Sequence, residues 1–196
     1  MGDAASVLRI DYATYLALER DSDQKHEWLD GQVYGMAGGS IAHSQLAVQM
    51  GAALLHLAHA CGCRVFGSDA KVRVRTTGLA TYPDVCVVCG AIVRDPEDTH
   101  AINNPSVLVE VLSDSTERYD RGEKFHHYRH LDSLKHYVLV SQHEARVEVF
   151  TRGENGRWEL AVAEAGETFA LSALGGSIAV DQVYADVELT PREDRT

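Results

Sequence analysis

Apolar positions recur along the chain with helical or alternating spacing, and the pattern predicts a mixed α and β fold. From Asp11 to Arg20, Tyr12, Tyr15 and Leu16 share a helical face, which predicts a short amphipathic helix. Lys25 to Tyr34 reads as two short strands about Asp30-Gly31, a dipeptide that accepts the left-handed backbone of a tight hairpin. Gly35 to Ser44 is rich in Gly and Ser and predicts a loop. A helix then begins at Ser40 or His43 and runs to about Ala60, with Ala47, Val48, Met50, Leu54, Leu55 and Leu57 giving it an apolar face.

Arg64–Phe66 and Ala70–Arg75 read as strands separated by Gly67-Ser68-Asp69. In the second, a period of two sets Lys71, Arg73 and Arg75 on one face. That face suits a phosphate backbone; it equally suits an exposed sheet edge, where cations keep other chains from pairing. Val85–Val88 and Val107–Val111 are apolar strand-like runs joined by a polar loop, Arg94–Asn104. After the polar turn Ser113–Thr116, Asp120 and Glu123 have capping-box spacing and predict a helix with Asp120 as N-cap and Phe125, Tyr128 and Leu131 facing inward. His136–Ser141, Arg146–Thr151 and Trp158–Val162 alternate like antiparallel strands, the first pair turning at Gln142-His143-Glu144. A Gly175-Gly176 break precedes a short amphipathic segment, Val180–Tyr184, and Pro191–Thr196 reads as a frayed polar end.

Composition narrows the class. A chain of 196 residues, 45% hydrophobic and 24% charged, fits one domain spanning 1–196. At this size roughly 70% of the unfolded surface is buried, so neither disulfides nor a structural metal is required. No stretch approaches the roughly 20 apolar residues of a membrane span, and Met1–Ile10 lacks a basic segment followed by an apolar one, so a soluble cytoplasmic protein is expected. In that compartment Cys61, Cys63, Cys86 and Cys89 are expected to be reduced and to pack as small apolar residues. A four-thiol zinc site is disfavoured, because Cys86 and Cys89, three apart in a strand, point to opposite faces. His56 and His59 lie three apart on the long helix with no third ligand nearby and read as surface residues. A net charge of -11 argues against tight, sequence-tolerant binding to long DNA. It leaves room for a nuclease, since a divalent cation held by carboxylates can itself meet one phosphate.

The candidate chemistry sits between Tyr82 and Lys124. Asp84 heads the first apolar run, after Pro83, and Glu110 lies inside the second. A carboxylate in such a run requires a metal, a basic partner or a cleft, because desolvating it unpaired costs several kcal/mol. Lys124 is the nearest downstream cation. In the first turn of its helix it faces the positive end of the dipole, which implies an anionic partner. Glu110 and Asp120, four residues back, are the two candidates. Glu27, on the first hairpin, reads either as a solvated strand residue or as part of a site.

The segments Glu27–Val33, His43, Val65–Asp69, Tyr82-Pro83-Asp84-Val85, Val109–Thr116 and Tyr119–Phe125 together resemble the Uma-two family of restriction endonucleases over nearly the whole chain. The most specific part is Glu110-Val111-Leu112-Ser113-Asp114-Ser115-Thr116 followed by Tyr119-Asp120-Arg121-Gly122-Glu123-Lys124 and Tyr128. The resemblance implies the PD-(D/E)XK nuclease superfamily: an α/β (α+β), restriction-endonuclease-like fold with a mixed β-sheet flanked by helices. It implies a metal-dependent endonuclease acting on DNA, commonly a homodimer. Asp84 takes the Pro-Asp position, Glu110 the second acid, and Glu27 an early acid contributed by many members. The position two residues after Glu110, where the superfamily has its lysine, is Leu112; the family's lysine falls on the following helix and points to Lys124. By this resemblance Asp84, Glu110 and the Val111 carbonyl hold Mg²⁺ or Mn²⁺, Lys124 orients water or neutralises charge, and Tyr128 supports it. A module that keeps the fold without catalysis, for dimerisation or for binding nucleic acid or protein, is the alternative expectation.

Overall fold

A computed structural model describes residues 9–36 and 38–189. Helix α1 (Tyr12–Asp21) starts where the Asp11 carboxylate accepts the Thr14 N–H, replacing a carbonyl that a first turn lacks. The hairpin of β1 (His26–Leu29) and β2 (Gln32–Gly35) turns through Asp30 and Gly31, at φ 45° and 93°. Helix α2 (Ile41–Cys61) is capped by Ser40, which accepts the His43 N–H. There follow β3 (Cys63–Gly67), β4 (Lys71–Val74), β5 (Leu79–Thr81), β6 (Val85–Cys89), β7 (Ala101–Ile102) and β8 (Val107–Leu112). Helix α3 (Glu117–Tyr119), a wider π-type turn over Asp120–Lys124 and α4 (Phe125–Tyr128) lead to β9 (His136–Ser141). After β10 (Arg146–Arg152), β11 (Trp158–Glu164), β12 (Thr168–Leu171) and β13 (Gly176–Ala179) comes α5 (Val180–Val183).

One sheet has the order β11-β10-β9-β8-β6-β3 and is antiparallel except where β8 pairs with β9. Parallel neighbours need a crossover, and α3 through α4 supplies it. A second sheet has the order β2-β1-β5-β4-β7, and β12 pairs with β13. Strand alternation then sorts the core. Val85, Val87, Val107, Val109, Val111, Val138 and Val140 share a cluster with Leu46, Met50 and Leu54 of α2. Cys86, Val88, Leu108, Leu112, Tyr137 and Leu139 fill a second cluster with Val72 and Val74 of β4 and Tyr128 of α4. By the same alternation Glu110 belongs to this second side, which sets a carboxylate in the core.

Several expectations are corrected. Lys71 and Arg73 form neither an exposed edge nor a phosphate surface, because β4 lies inside its sheet between β5 and β7, while Arg75, past the end of β4, is exposed and pairs with Glu97 at 3.2 Å. Lys71 is buried against Asp98 at 2.9 Å, and the Arg73 guanidinium lies over the rings of Tyr12 and Trp28, 4.1 and 4.9 Å from their centroids. The Arg94–Asn104 loop contains β7, which pairs with β4. The crossover helix begins at Glu117, whose N–H reaches Ser113 O at 2.8 Å, so Asp120 lies inside it and is not its N-cap. Cys63 and Cys89 are joined by a disulfide rather than reduced, because the antiparallel register of β3 on β6 sets them opposite each other. Strands β5, β12 and β13 fall in stretches with no predicted element. The frayed end expected at Pro191–Thr196 and the first residues of Met1–Ile10 lie outside the described residues. Among the described residues no helix is long and apolar enough to cross a membrane.

Candidate active site

The crossover helix carries Asp120, Lys124 and Tyr128 at intervals of four, a spacing that places them on one face. All three are buried, and so is Glu110 on β8. Lys124 Nζ lies 3.0 Å from Glu110 Oε1, 3.2 Å from Glu27 Oε1 and 3.5 Å from Asp120 Oδ1. Both candidate partners are therefore present, with Glu110 the nearer, and the β1 residue Glu27 joins them instead of facing solvent. Tyr128 OH donates to Glu110 Oε1 at 2.7 Å, and Thr81 Oγ1 donates to Glu27 Oε1. The Tyr137 hydroxyl donates to the Asp120 carbonyl at 3.0 Å.

Asp84, just before β6, completes the group. Its Oδ2 accepts the Val111 N–H at 2.7 Å, which locks the carboxylate against the end of β8. His43, in the first turn of α2, brings Nε2 to 3.4 Å from the same oxygen. The hydrogen bond to Asp84 raises the His43 pKa, burial opposes this, and the Asp84 charge and the Val111 backbone raise it further. A cleft of about 810 Å³ opens beside His43 and Asp84, with Gly39, Val48 and Phe66 also in its wall.

Electrostatics mark the centre. Burial drives the Glu110 pKa well above the ordinary carboxylate range; Lys124 pulls it down, and the charges of Asp120 and Asp84 push it up again. Burial likewise raises Asp120, against the pull of Lys124. Burial disfavours the Lys124 ammonium, but Glu110, Glu27 and Asp120 together outweigh it and hold the pKa well above normal. One ammonium thus faces an excess of carboxylates, all desolvated. A group so rich in carboxyl oxygens fits a hard divalent cation, which takes oxygen ligands.

All five residues expected from the sequence, together with Val111, belong to this connected group. Three further members join it: Asp120, which the sequence offered as a partner of Lys124 four residues on, His43, which the sequence carried as a position of the family resemblance near a helix start, and Thr81, which lies on an unpredicted strand. The thiols are separate from this group, and among the described residues the one three-residue cluster of close potential metal ligands is Cys61, Cys63 and Cys89.

A protein-family model described as putative restriction endonuclease, Uma2, matches residues 12–181. Two uncharacterized proteins of Synechocystis sp. are 38% identical over 170 residues and 30% identical over 148 residues. The first match covers 87% of this chain and 88% of the relative, the second 76% and 84%. A crystal structure from Anabaena variabilis, titled as a putative nuclease belonging to DUF820, superposes with a TM-score of 0.72. It is 13% identical, covering 90% of this chain and 98% of that one, and shows the same fold.

Proposed function

We propose, from the premise that the chain belongs to the Uma2 family of putative restriction endonucleases, that it is a metal-dependent endonuclease hydrolysing DNA phosphodiester bonds. The observation that carries this reading is the buried convergence of Glu110, Glu27 and Asp120 on Lys124, with Asp84, just before the neighbouring strand, held against Val111. Asp84, Glu110 and the Val111 carbonyl would hold Mg²⁺ or Mn²⁺. Bound there, the ion supplies Lewis-acid charge to a phosphodiester and acidifies attacking water.

The chain's own groups do the rest. The Val111 N–H fixes the Asp84 carboxylate, while Tyr128 and Thr81 fix those of Glu110 and Glu27. Lys124, kept protonated by its three acids, offsets negative charge that builds on the phosphate. His43, its pKa raised beside Asp84, keeps a proton at the cleft for a departing oxygen. The reading includes a cytoplasmic homodimer.

The test is cleavage of circular single-stranded and plasmid DNA with Mg²⁺ or Mn²⁺, native protein beside Asp84→Ala. Cleavage by the native protein alone supports the reading; full activity in the variant refutes it. A second reading, a non-catalytic module, is favoured by one observation: Lys124 is only 5% exposed and already held by three acids. Under it neither protein cleaves, and no divalent cation binds at Asp84.

A further inference from the structure

Three sulfurs meet at the end of β6 remote from Asp84. Cys61 ends α2, the left-handed turn at Gly62 (φ 69°) reverses the chain, Cys63 opens β3, and the sheet register brings Cys89 opposite it. Cys61 Sγ lies 3.2 Å from Cys63 Sγ, and the three sulfurs lie within 4.8 Å of one another. Cys61 is exposed, so the cluster is open to small solutes. The fourth cysteine stands apart: Cys86 is buried in the opposite core cluster, where burial pushes its thiol up to about 12.

We propose that, once the Cys63–Cys89 bond is reduced, Cys61, Cys63 and Cys89 form a binding site for a soft, closed-shell cation of the Cu(I) class. The spacing suits it. With metal–sulfur bonds of about 2.3 Å, a trigonal site needs sulfurs about 4 Å apart; Cys61 and Cys63, 3.2 Å apart, are near that separation, and Cys63 and Cys89 move apart to it once their bond opens. Thiolates select soft ions, and three ligands satisfy a trigonal preference without a fourth protein group. The setting adds to this: the Cys61 thiol points at the carbonyls of Leu57 and Ala58, both at 3.5 Å, in the last turn of α2. Those contacts hold the Cys61 sulfur in place beside Cys63.

Reduction balances as a two-electron exchange. Two molecules of a thiol reductant become one disulfide, and their hydrogens appear on Cys63 and Cys89; the cation then displaces up to three thiol protons. In the oxidised protein only Cys61 remains as a ligand, so binding is conditional on the reduced state. This site is independent of the nuclease reading, sharing no residue with Asp84, Glu110 or Lys124.

The experiment uses the full chain, reduced with a phosphine, freed of reductant without air, and titrated with Cu(I) against a chromophoric Cu(I) chelator. One equivalent is expected to bind to the native protein and to Cys86→Ser. Cys61→Ser, at an exposed position and with its fold checked by circular dichroism, is expected to bind roughly tenfold or more weakly, since even a residue that only supports a ligand costs that much. The oxidised protein is expected to bind none. Native-like affinity in Cys61→Ser, equal binding by the oxidised form, or no stoichiometric binding by the reduced protein would each overturn the proposal.

Discussion

Replacing Lys124 by methionine keeps the side chain's length and removes its charge, which isolates the electrostatic part of the site. Three carboxylate oxygens lie 3.0, 3.2 and 3.5 Å from Nζ. At an effective dielectric of about 20 each contact is worth about 5 kcal/mol, before the ammonium's desolvation is set against it. The variant escapes part of the loss by taking up a proton. Protonating one glutamic acid costs about 5 kcal/mol at about pH 8 and about 1 kcal/mol at about pH 5, from a reference pKa of about 4.3. The expected destabilisation is therefore about 3–5 kcal/mol at the higher pH and about 1–2 kcal/mol at the lower. The sign follows from linkage: burial holds the folded-state pKa values of Glu110 and Asp120 above their unfolded values, and without Lys124 nothing of opposite charge pulls them back. Their contribution is intact below the unfolded pKa and is lost as pH rises through the folded one. Thermal unfolding of native protein and Lys124→Met at both pH values, free of divalent ions, reads this directly. A drop in Tm of roughly 6–20 °C at the higher pH is expected. A drop under about 3 °C there, or the same drop at both pH values, would refute the reasoning.

Glu110→Gln removes the most strongly desolvated carboxylate and leaves Lys124 paired with Glu27 and Asp120; cleavage is expected to be lost while the metal-free protein gains about 1 kcal/mol at neutral pH, read by urea unfolding. His136, fully buried, receives the Ala173 N–H on Nε2 at 3.1 Å, and burial lowers its pKa to about 4. With a folded pKa below the unfolded one, its stabilisation is present above about pH 6.5 and fades on acidification, by about 3 kcal/mol at about pH 4. His136→Gln should flatten that limb of the stability profile. Arg73→Lys keeps the charge but loses the planar stacking on Tyr12 and Trp28, and is expected to cost about 1–2 kcal/mol in the same assay.

The sequence exposed what depended on neighbours along the chain. Asp84 and Glu110 stood out because their runs are otherwise Val-rich, Asp30-Gly31 because few dipeptides accept that turn, and α2 because Ser40 and a long apolar face bracket it. What stayed hidden depended on partners far away in sequence. The alternation of Lys71 and Arg73 gave their common face but not Asp98, Tyr12 or Trp28 against it. Asp120, by contrast, was legible as a partner of Lys124 from its spacing of four, and only its capping role failed, because the helix starts earlier. His43 acquires meaning only when α2 lies over the end of β6, and Cys63 meets Cys89 only through a register spanning 26 residues.

Strand β8 reads Val-Leu-Val-Glu-Val-Leu and is buried at every position. In an unfolded or newly made chain the same six residues form an uncapped, proline-free run of high strand propensity, the kind that stacks into aggregates. Glu110, solvated and ionised there, is the run's single charge and acts as its gatekeeper. The residue whose desolvation weighs on the native state thus keeps nascent chains apart. A glutamine at that position is expected to raise equilibrium stability while lowering the yield of soluble protein.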